Sequence, residues 1–442
     1  MSKSFQTIEG SITAPQGFLA AGVFCDIKRL GTGKGSNKGK KRDLALIVSE
    51  VPATVAGMFT TNQVCAAPVK ISIPRAKRGS AQAIVVNSGN ANACTGTQGL
   101  RDAETMAKVT AAQFHLSPQD VLVASTGRIG VTMPMANVKQ GILEAATLLG
   151  NAPEQAVEVT EAIMTSDTRP KAIAVEIKLG GKTVRIGGIC KGAGMIQPGM
   201  SATGARPAAI PLHATMLCFI TTDAAIEAQV LQTALHEAVA HSFNRITVDG
   251  DMSTNDTVLV LANGLAENSV IKSPRQKEFA VFQSALSHVT LELAKMIVRD
   301  GEGVSRFVTV KVSGAKTFAD ADAASRAVGN SSLVKTSWCG GDPNWGRILD
   351  ALGYSPATLV EEKIDVGYSL PGSRQVLYSL KKGRPTSVSF ASLCKIVAEK
   401  EFDLHINLNL GQASAVLYAA DLTEDYVDFN KGDVSDPASL GG

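Results

Sequence analysis

The stretch "ATMLCFITTDA" (214–224) places an alanine–threonine pair directly before an apolar run that ends in polar residues. A short apolar run of this kind is typical of a buried β-strand. Thr215 stands at the start of the run, where a β-branched threonine is most often an ordinary strand residue. The stretch therefore predicts a buried strand, and it leaves open whether Thr215 also has a chemical role.

Strand-like and helix-like segments alternate along the rest of the chain. Other apolar runs predict strands at 81–87 and 121–125, and Gly-Gly at 180–181 predicts the turn of a hairpin over 172–188. Helical spacing of apolar residues predicts helices at 100–114, 136–150, 227–243, 276–299 and 318–328. This alternation predicts an α/β or α+β fold with a mostly buried sheet, and we divide the chain into domains of residues 1–310 and 311–442.

The composition excludes several classes of protein. The chain has 442 residues, of which 45% are hydrophobic, so it is long enough to bury a sizeable core. Its net charge is only +3, and glycine, serine and asparagine interrupt the basic run at 34–43, so we expect a solvated loop and no nucleic-acid partner. No apolar window of about 18 residues and no apolar signal segment are present, so we expect no membrane span and a cytoplasmic protein.

The usual metal and hydrolase motifs are missing from the sequence. The seven cysteines are scattered and never spaced C-x-x-C, which predicts reduced thiols and neither disulfides nor a zinc site. Asp249, Asp251, Asn255 and Asp256 resemble a calcium loop, but no glutamate follows at the twelfth position, so we interpret them as residues that tie loops near a site. There is no G-x-S-x-G, H-E-x-x-H or phosphate-binding loop, and no histidine cluster, so a nucleophile would need another means of activation.

A threonine can be activated by its own α-amino group if the chain is cut immediately before it. A free α-amine has a pKa of about 7.7–8, so much of it can accept a proton near neutral pH. It can then deprotonate the threonine hydroxyl, as in the threonine form of nucleophilic catalysis. Ala214 is small enough to leave room for attack on its carbonyl by Thr215, so this bond is a candidate cleavage site.

Ten motifs follow one another in order between about residue 7 and residue 435. They are "GMFTTNQVCAAPV" (57–69), "VNSGNANACTG" (86–96), "ASTGRIG" (124–130), "IMTSDTRPK" (163–171), "GGICKGAGMIQPGM" (187–200), "ATMLCFITTDA" (214–224), "VDGDMSTNDT" (248–257), "RDGEGVSRF" (299–307), "GDPNWGRI" (341–348) and "DLTEDYVDFN" (421–430). Together they resemble the arginine-biosynthesis ornithine acetyltransferases, also called bifunctional glutamate N-acetyltransferases. The resemblance implies a layered sheet-and-helix sandwich, of a type shared with self-cleaving aminopeptidases, and a smaller C-terminal α+β domain.

The resemblance also implies a precursor that cuts itself between Ala214 and Thr215. The products would be an α chain of residues 1–214 and a β chain of residues 215–442, assembled as an α2β2 heterotetramer. Thr215 would take the acetyl group from N-acetylornithine and pass it to glutamate, with no metal and no organic cofactor. Whether acetyl-CoA is a second acetyl donor stays open.

Further site residues follow from the same resemblance. Thr126 and Gly127 match the family's oxyanion-hole pair. Besides Thr215, the positions that match its substrate-binding residues are Thr165, Lys191, Glu302, Asn430 and Ser435. A cation such as Lys191 suits the α-carboxylate of an amino-acid substrate, and an anion such as Glu302 suits the ammonium of ornithine.

The sequence departs from the family's pattern at two places. Residues 201–213 are an insertion that ends at the scissile bond and contains a second pair, Ala202–Thr203. We assign the cut to Thr215 because "MLCFITTDA" follows it, as in the family. At the C-terminus a tail, 436–442, extends beyond Ser435. Two rival functions stay open at this point: a hydrolase of the self-cleaving aminopeptidase type, and a binding protein that has lost catalysis.

Overall fold

The computed structural model of the protein describes residues 5–28, 41–205 and 216–431. The predictions for residues 34–40 of the basic run, for 206–213 of the insertion, and for Ala214, Thr215 and Ser435 lie outside these ranges.

The strands of the described chain form two sheets. The larger sheet contains β1 (Phe5–Ile8), β2 (Phe18–Val23), β3 (Leu44–Thr60), β4 (Ser80–Asn90), β5 (Val121–Arg128), β6 (Lys171–Leu179), β7 (Lys182–Lys191), β8 (Met200–Ser201), β9 (Leu217–Thr222) and β11 (Thr257–Ala262). The smaller contains β10 (Ile246–Thr247), β12 (Phe307–Ala315), β13 (Asp365–Ser369), β14 (Leu377–Lys381), β15 (Arg384–Pro385), β16 (Glu401–Asn407) and β17 (Ala413–Ala420). The strand order of the larger sheet is β1-β6-β7-β9-β11-β3-β4-β5, and β2 and β8 also pair with β3. The strand order of the smaller sheet is β10-β17-β12-β16-β13-β14-β15.

Strand β9 lies in the middle of the larger sheet and explains the apolar run after Thr215. It pairs with β7 in antiparallel and with β11 in parallel orientation. Its side chains alternate between two cores: Cys218 and Ile220 pack into one, and Leu217 and Phe219 into the other. Because both faces are covered, both sets are apolar. The prediction of a buried strand is confirmed.

Eleven α-helices lie within the described residues. They are α1 (Ala67–Lys77), α2 (Gly96–Gln113), α3 (Met135–Thr147), α4 (Pro153–Ile163), α5 (Ala228–Ala240), α6 (Lys277–Arg299), α7 (Phe318–Asn330), α8 (Ser332–Cys339), α9 (Trp345–Gly353), α10 (Phe390–Val397) and α11 (Glu424–Phe429). Helices α5 and α6 cover one face of the larger sheet, and α4 packs against the other. The predicted mixture of helices and buried sheet is confirmed, with helix ends that differ from the predicted ones by a few residues.

The smaller sheet has its own apolar core, formed with helices α7 to α10. Most of its strands come from residues 307–420, and the two-residue strand β10 joins its edge from an earlier part of the chain. The division into domains at residue 310 stays a prediction. None of the helices in the described ranges combines the length and apolarity needed to cross a lipid bilayer.

Candidate active site

One cavity of about 260 Å³ gathers the sequence-predicted site residues that the structure describes. Its lining includes Thr126, Gly127, Thr165, Lys191, Glu302 and Asn430. These residues come from five separate segments of the chain, so the fold alone brings them together. A larger cavity of about 440 Å³, lined by residues near 8–17 and by Asn151, Glu176 and Arg185, contains none of them.

Lys191 is the last residue of β7, and its ammonium group points into this cluster. The residue is 2% exposed, and Nζ donates to Thr165 Oγ1 at 2.7 Å and to Thr126 Oγ1 at 3.3 Å. Burial lowers the pKa of Lys191, and the carboxylate of Asp167, 4.0 Å away, opposes that shift. Since an ammonium has three N–H donors, one is left over for a ligand after the two hydroxyls.

Thr126 and Gly127 lie near the end of β5, as the apolar run before them predicts. Gly127 has φ +128°, and a Cβ at this position would lie 2.4 Å from the carbonyl carbon of Gly89 on the neighbouring strand. Only glycine therefore lets the chain turn here while remaining next to β4. The backbone beside the cavity is held by a rigid sheet, which suits a donor that must be fixed in advance.

Glu302 and Asn430 also line the cavity. Asn430 Nδ2 donates to Glu302 Oε2 at 3.0 Å, and the Glu302 backbone N–H donates to Ala193 O at 2.9 Å. Gly303 has φ +66°, and a Cβ there would lie 2.3 Å from the backbone nitrogen of Tyr426. No lysine or arginine within the described ranges forms an ion pair with Glu302, so its carboxylate is available to a cationic ligand.

A buried ion-pair cluster that no sequence motif predicted lies next to Lys191. Lys171 Nζ donates to Asp167 Oδ1 at 2.6 Å and also pairs with Asp300, and all three side chains are at most 2% exposed. Burial by itself would lower the pKa of Lys171, but the two carboxylates together raise it. For Asp167, burial opposes ionisation, yet Lys191 and Lys171 hold its pKa well below the usual value.

The same cluster positions the cavity wall. Asp167 accepts from the Gly192 N–H at 2.7 Å and from the Thr165 N–H at 3.0 Å. Asp300 accepts from the Thr168 N–H at 3.1 Å and lies two residues before Glu302. The acids and Lys171 lie inside two of the quoted motifs, but no local pattern shows that they pair.

The acidic run at 249–256 ties loops, as its spacing predicts. Asp249 accepts from the Met195 N–H at 2.6 Å and from the Ile196 N–H at 2.8 Å. Asn255 lines the cavity and donates to Ala91 O at 2.7 Å and to Ser125 O at 2.8 Å. In the part of the chain that the structure describes, no group of three or more His, Cys, Asp or Glu could hold a metal ion.

The chain directly after Thr215 begins at the same site. Met216 is fully buried, and its N–H donates to the carboxylate of Asp256. Leu217, the next residue, is paired in register with Lys191 on β7. Strand β9 therefore starts beside the lysine of the cavity wall.

Comparison with known proteins gives one consistent family. Residues 22–432 match the ArgJ family. The chain is 47% identical to an arginine biosynthesis bifunctional protein ArgJ of Symbiobacterium thermophilum, over 96% of this chain and 98% of the relative. It is 44% identical to a glutamate N-acetyltransferase of Methanocaldococcus jannaschii, again over 96% of this chain and 98% of the relative.

Two solved structures are also similar. One is the arginine biosynthesis bifunctional protein ArgJ of Bacillus halodurans, with 41% identity, 46% of this chain and 100% of that chain covered, and a TM-score of 0.41. The other is an ornithine acetyltransferase of Mycobacterium tuberculosis complexed with ornithine, with 36% identity, 45% and 100% coverage, and a TM-score of 0.40.

Proposed function

The chain belongs to the ArgJ family, and we propose that it is an ornithine acetyltransferase of arginine biosynthesis. It moves an acetyl group from N2-acetylornithine to glutamate, which releases ornithine and N-acetylglutamate. The observation that carries this proposal is the common cavity of Thr126, Gly127, Thr165, Lys191, Glu302 and Asn430.

The charges of the cavity are complementary to acetylornithine. Both Lys191 and Glu302 line it: Lys191 has a spare N–H donor, and Glu302 forms no ion pair with a lysine or arginine among the described residues. An amino acid with an α-carboxylate and a side-chain ammonium satisfies both groups, and each charge-assisted hydrogen bond stabilises the complex by about 1.5–3 kcal/mol. Glutamate has no side-chain ammonium, so it enters the cavity as the acetyl acceptor only after ornithine has left.

The transfer takes a covalent course through Thr215. The α-amine of Thr215 removes the hydroxyl proton, and Oγ attacks the acetyl carbon of acetylornithine. The C–N bond breaks, ornithine leaves with the proton, and an acetyl-Thr215 ester remains. The amine of glutamate then attacks the ester, so that N-acetylglutamate leaves and the hydroxyl is restored. Thr126 and Gly127 supply the donors that stabilise the oxyanion in both steps.

The α-amine becomes available when the precursor cuts itself between Ala214 and Thr215. Strands β9 and β11, from the piece after the cut, lie between β7 and β3, from the piece before it. The two pieces therefore share one sheet and one core, which supports their staying together after cleavage. We propose an α2β2 assembly in the cytoplasm. Light scattering of the purified protein would measure the mass of this assembly and so test its composition.

The test is an assay of the purified protein with acetylornithine and glutamate, followed by mass spectrometry of products and protein. We expect ornithine and N-acetylglutamate in equal amounts, two protein chains, and an N-terminal sequence Thr-Met-Leu-Cys on the second. Thr215→Ala is expected to give one uncut chain without transfer. Thr203→Ala, which removes the threonine of the other Ala–Thr pair, is the matched control and is expected to behave as the unchanged protein.

Two other outcomes contradict parts of this function. Release of acetate without N-acetylglutamate indicates a hydrolase instead of a transferase. Transfer at the full rate by Thr215→Ala excludes the covalent intermediate. A parallel reaction with acetyl-CoA in place of acetylornithine tests the second acetyl donor.

A further inference from the structure

Asn255 is a buried amide in the wall of the cavity, outside the set of proposed catalytic and substrate-binding residues. It is 2% exposed and lies two residues before β11. Its side-chain nitrogen, Nδ2, donates to two backbone carbonyl groups, Ala91 O at 2.7 Å and Ser125 O at 2.8 Å. An amide nitrogen has two N–H donors, so both are used on the main chain and neither is left for a substrate.

The two carbonyl groups bracket the proposed oxyanion-hole pair, residues 126–127. Ser125 directly precedes the pair on β5. Ala91 directly follows β4, and its N–H donates at 2.9 Å to the carbonyl oxygen of Arg128, the residue after the pair. Asn255 therefore holds this segment directly at its first end, and through Ala91 at its second end.

The backbone of the pair needs such support because it includes a glycine. Gly127 has φ +128° and no side chain to anchor it, and glycine has the greatest conformational freedom of any residue. The direction of the Gly127 N–H therefore depends on bonds made by its neighbours. An oxyanion donor must be fixed before the charge develops, so the residues that anchor this segment affect the rate of transfer.

Asn255 is itself held at every polar group, which makes it a fixed support. Its backbone N–H donates to Ser253 Oγ at 2.9 Å, and its backbone carbonyl accepts from Thr257 Oγ1 at 2.9 Å. Its side-chain oxygen, Oδ1, accepts from Thr254 Oγ1. Because these bonds join the amide to the loop before β11, its two carbonyl contacts connect that loop to β4 and β5.

A second buried asparagine makes the same kind of contacts away from the cavity. Asn268 is 5% exposed, and its Nδ2 donates to Ala225 O at 3.2 Å and to Ser269 O at 2.9 Å. It lies beyond the other end of β11 and lines neither of the two cavities described for this chain. Loss of either asparagine removes the donors of two carbonyls, but only Asn255 supports the oxyanion-hole pair.

We propose that Asn255 is a positioning residue of the acetyl transfer, which holds Thr126 and Gly127 in the geometry that binds the oxyanion. The inference rests on the proposed function and adds the side chain that fixes its oxyanion hole. Without the amide, the carbonyls of Ala91 and Ser125 lose their donors, and the segment between them moves to satisfy those groups elsewhere. A displacement of about 1 Å at a reacting group can lower the rate by about 10²-fold.

The test is steady-state acetyl transfer from acetylornithine to glutamate by the cleaved Asn255→Ala variant. We expect kcat to fall about 10–100-fold, a smaller loss than the roughly 10²–10³-fold for removal of an oxyanion donor itself. KM for acetylornithine should change by less than about threefold, because Lys191 and Glu302 keep their contacts. Asn255→Ser, which keeps one short donor, should lie between Asn255→Ala and the unchanged protein.

Asn268→Ala is the matched control. It also deprives two carbonyls of their donors, so it should lower the free energy of unfolding in urea denaturation as Asn255→Ala does. Its kcat should equal that of the unchanged protein, because Asn268 supports no part of the cavity. The comparison separates a loss of stability from a loss of positioning.

A double variant gives a readout that a merely structural role would not change. Effects of residues that act as one unit do not add as free energies, whereas independent effects on kcat multiply. We therefore expect Asn255→Ala combined with Thr126→Ala to lose less kcat than the product of the two single losses. A loss equal to that product would overturn the proposal.

The remaining outcomes also decide the question. An unchanged kcat in folded, cleaved Asn255→Ala would overturn the proposal, and so would an equal loss of kcat in Asn268→Ala. If Asn255→Ala does not fold, Asn255→Ser is held to the same comparison, and failure of both to fold would show a structural role and overturn it. Loss of self-cleavage in both variants would place Asn255 in the cutting step instead and overturn it as well.

Failure of the proposed function is distinguished by the unchanged protein. An unchanged protein that transfers no acetyl group would overturn the proposed function, and this inference with it. An active unchanged protein together with an unaffected Asn255→Ala variant would overturn the inference alone.

Discussion

Lys171 and Lys191 lie side by side at the ends of β6 and β7 and are almost equally buried, but their ammonium groups have different partners. Lys171 is paired with the carboxylates of Asp167 and Asp300, which raise its pKa against the effect of burial. Lys191 donates hydrogen bonds to two hydroxyl groups, and its Nζ lies 4.0 Å from a carboxylate oxygen of Asp167. Burial lowers the pKa of Lys191. The first lysine is neutralised within the fold, whereas the second keeps a donor for the cavity.

This difference separates a structural region from a functional one. We call the group of Asp167, Lys171 and Asp300 the ion-pair cluster, and the residues that line the cavity the cavity wall. A buried charge with complete partners stabilises its neighbours, and removing one partner leaves the others uncompensated. A buried charge with incomplete partners lacks this compensation, and it keeps a hydrogen-bonding group for a ligand. Changes in the cluster should therefore affect stability, and changes in the wall should affect turnover and binding.

The largest effect is expected for Lys171→Met. The change leaves Asp167 and Asp300 buried without their shared cation, and we expect the free energy of unfolding to fall by about 3–5 kcal/mol in urea denaturation. Lys178→Met, at an exposed position on the same strand, is the control and should change it by less than about 0.5 kcal/mol. A loss below about 1 kcal/mol for Lys171→Met would show that the cluster is not what stabilises this region.

Thr126→Ala is expected to have the next largest effect, and on rate instead of stability. Loss of an oxyanion donor lowers kcat by roughly 10²–10³-fold, with a smaller change in KM. Lys191 keeps its 2.7 Å bond to Thr165, so the wall should remain folded. The measurement is steady-state acetyl transfer by the fully cleaved variant, with Thr132→Ala, at an exposed position, as the control. An unchanged kcat would exclude Thr126 from the oxyanion hole.

Glu302→Gln tests whether the wall binds the ammonium of the substrate. The amide keeps an oxygen that can accept from Asn430, but the negative charge is lost. Since a charge-assisted hydrogen bond contributes about 1.5–3 kcal/mol, we expect KM for acetylornithine to rise about 10–100-fold. Glu267→Gln, whose side chain is 79% exposed, is the control and should leave KM unchanged. An equal rise for both variants would refute the assignment.

Lys191→Met is the direct counterpart of Lys171→Met and should have the smaller effect on stability. Burial already disfavours its charged form, and Asp167 keeps Lys171 when Lys191 is removed. We expect the free energy of unfolding to change by less than about 1 kcal/mol in either direction. A loss as large as that of Lys171→Met would remove the distinction between the two lysines.

The smallest effect is a dependence of the Lys171→Met stability loss on pH. The pKa of Asp167 is lowered in the folded chain, so its contribution is complete above the unfolded value of about 3.9 and is lost as the pH falls through the folded value. The difference in unfolding free energy between the unchanged protein and Lys171→Met should therefore be constant near pH 7 and narrow below about pH 5. Urea denaturation at pH 4, 5 and 7 measures it. If this difference in unfolding free energy grew as the pH fell, it would contradict the lowered pKa of Asp167.

Much of the fold could be predicted because its signals are local. The hairpin of β6 and β7 turns at Gly180 and Gly181, as the Gly-Gly pair indicates, and α6 ends at Arg299, as its spacing predicts. The predicted helix end at Gly150 was wrong, since α3 stops at Thr147 and Gly150 instead pairs with Ala20. Helix ends depend on tertiary contacts of this kind, which periodicity does not record.

The buried strand β9 and the Ala–Thr pair before it can be predicted from the amino-acid sequence, because the apolar run and its flanking residues lie in one segment of chain. The motifs of the sequence also identified the residues that meet in the cavity. How the charges of these residues are compensated depends on contacts that form only in the folded chain. Lys171 and Asp300 are 129 positions apart, and Lys191 and Thr126 are 65 apart. Whether a buried charge is paired or left for a ligand depends on groups that folding brings within about 3 Å, and no local pattern contains that information.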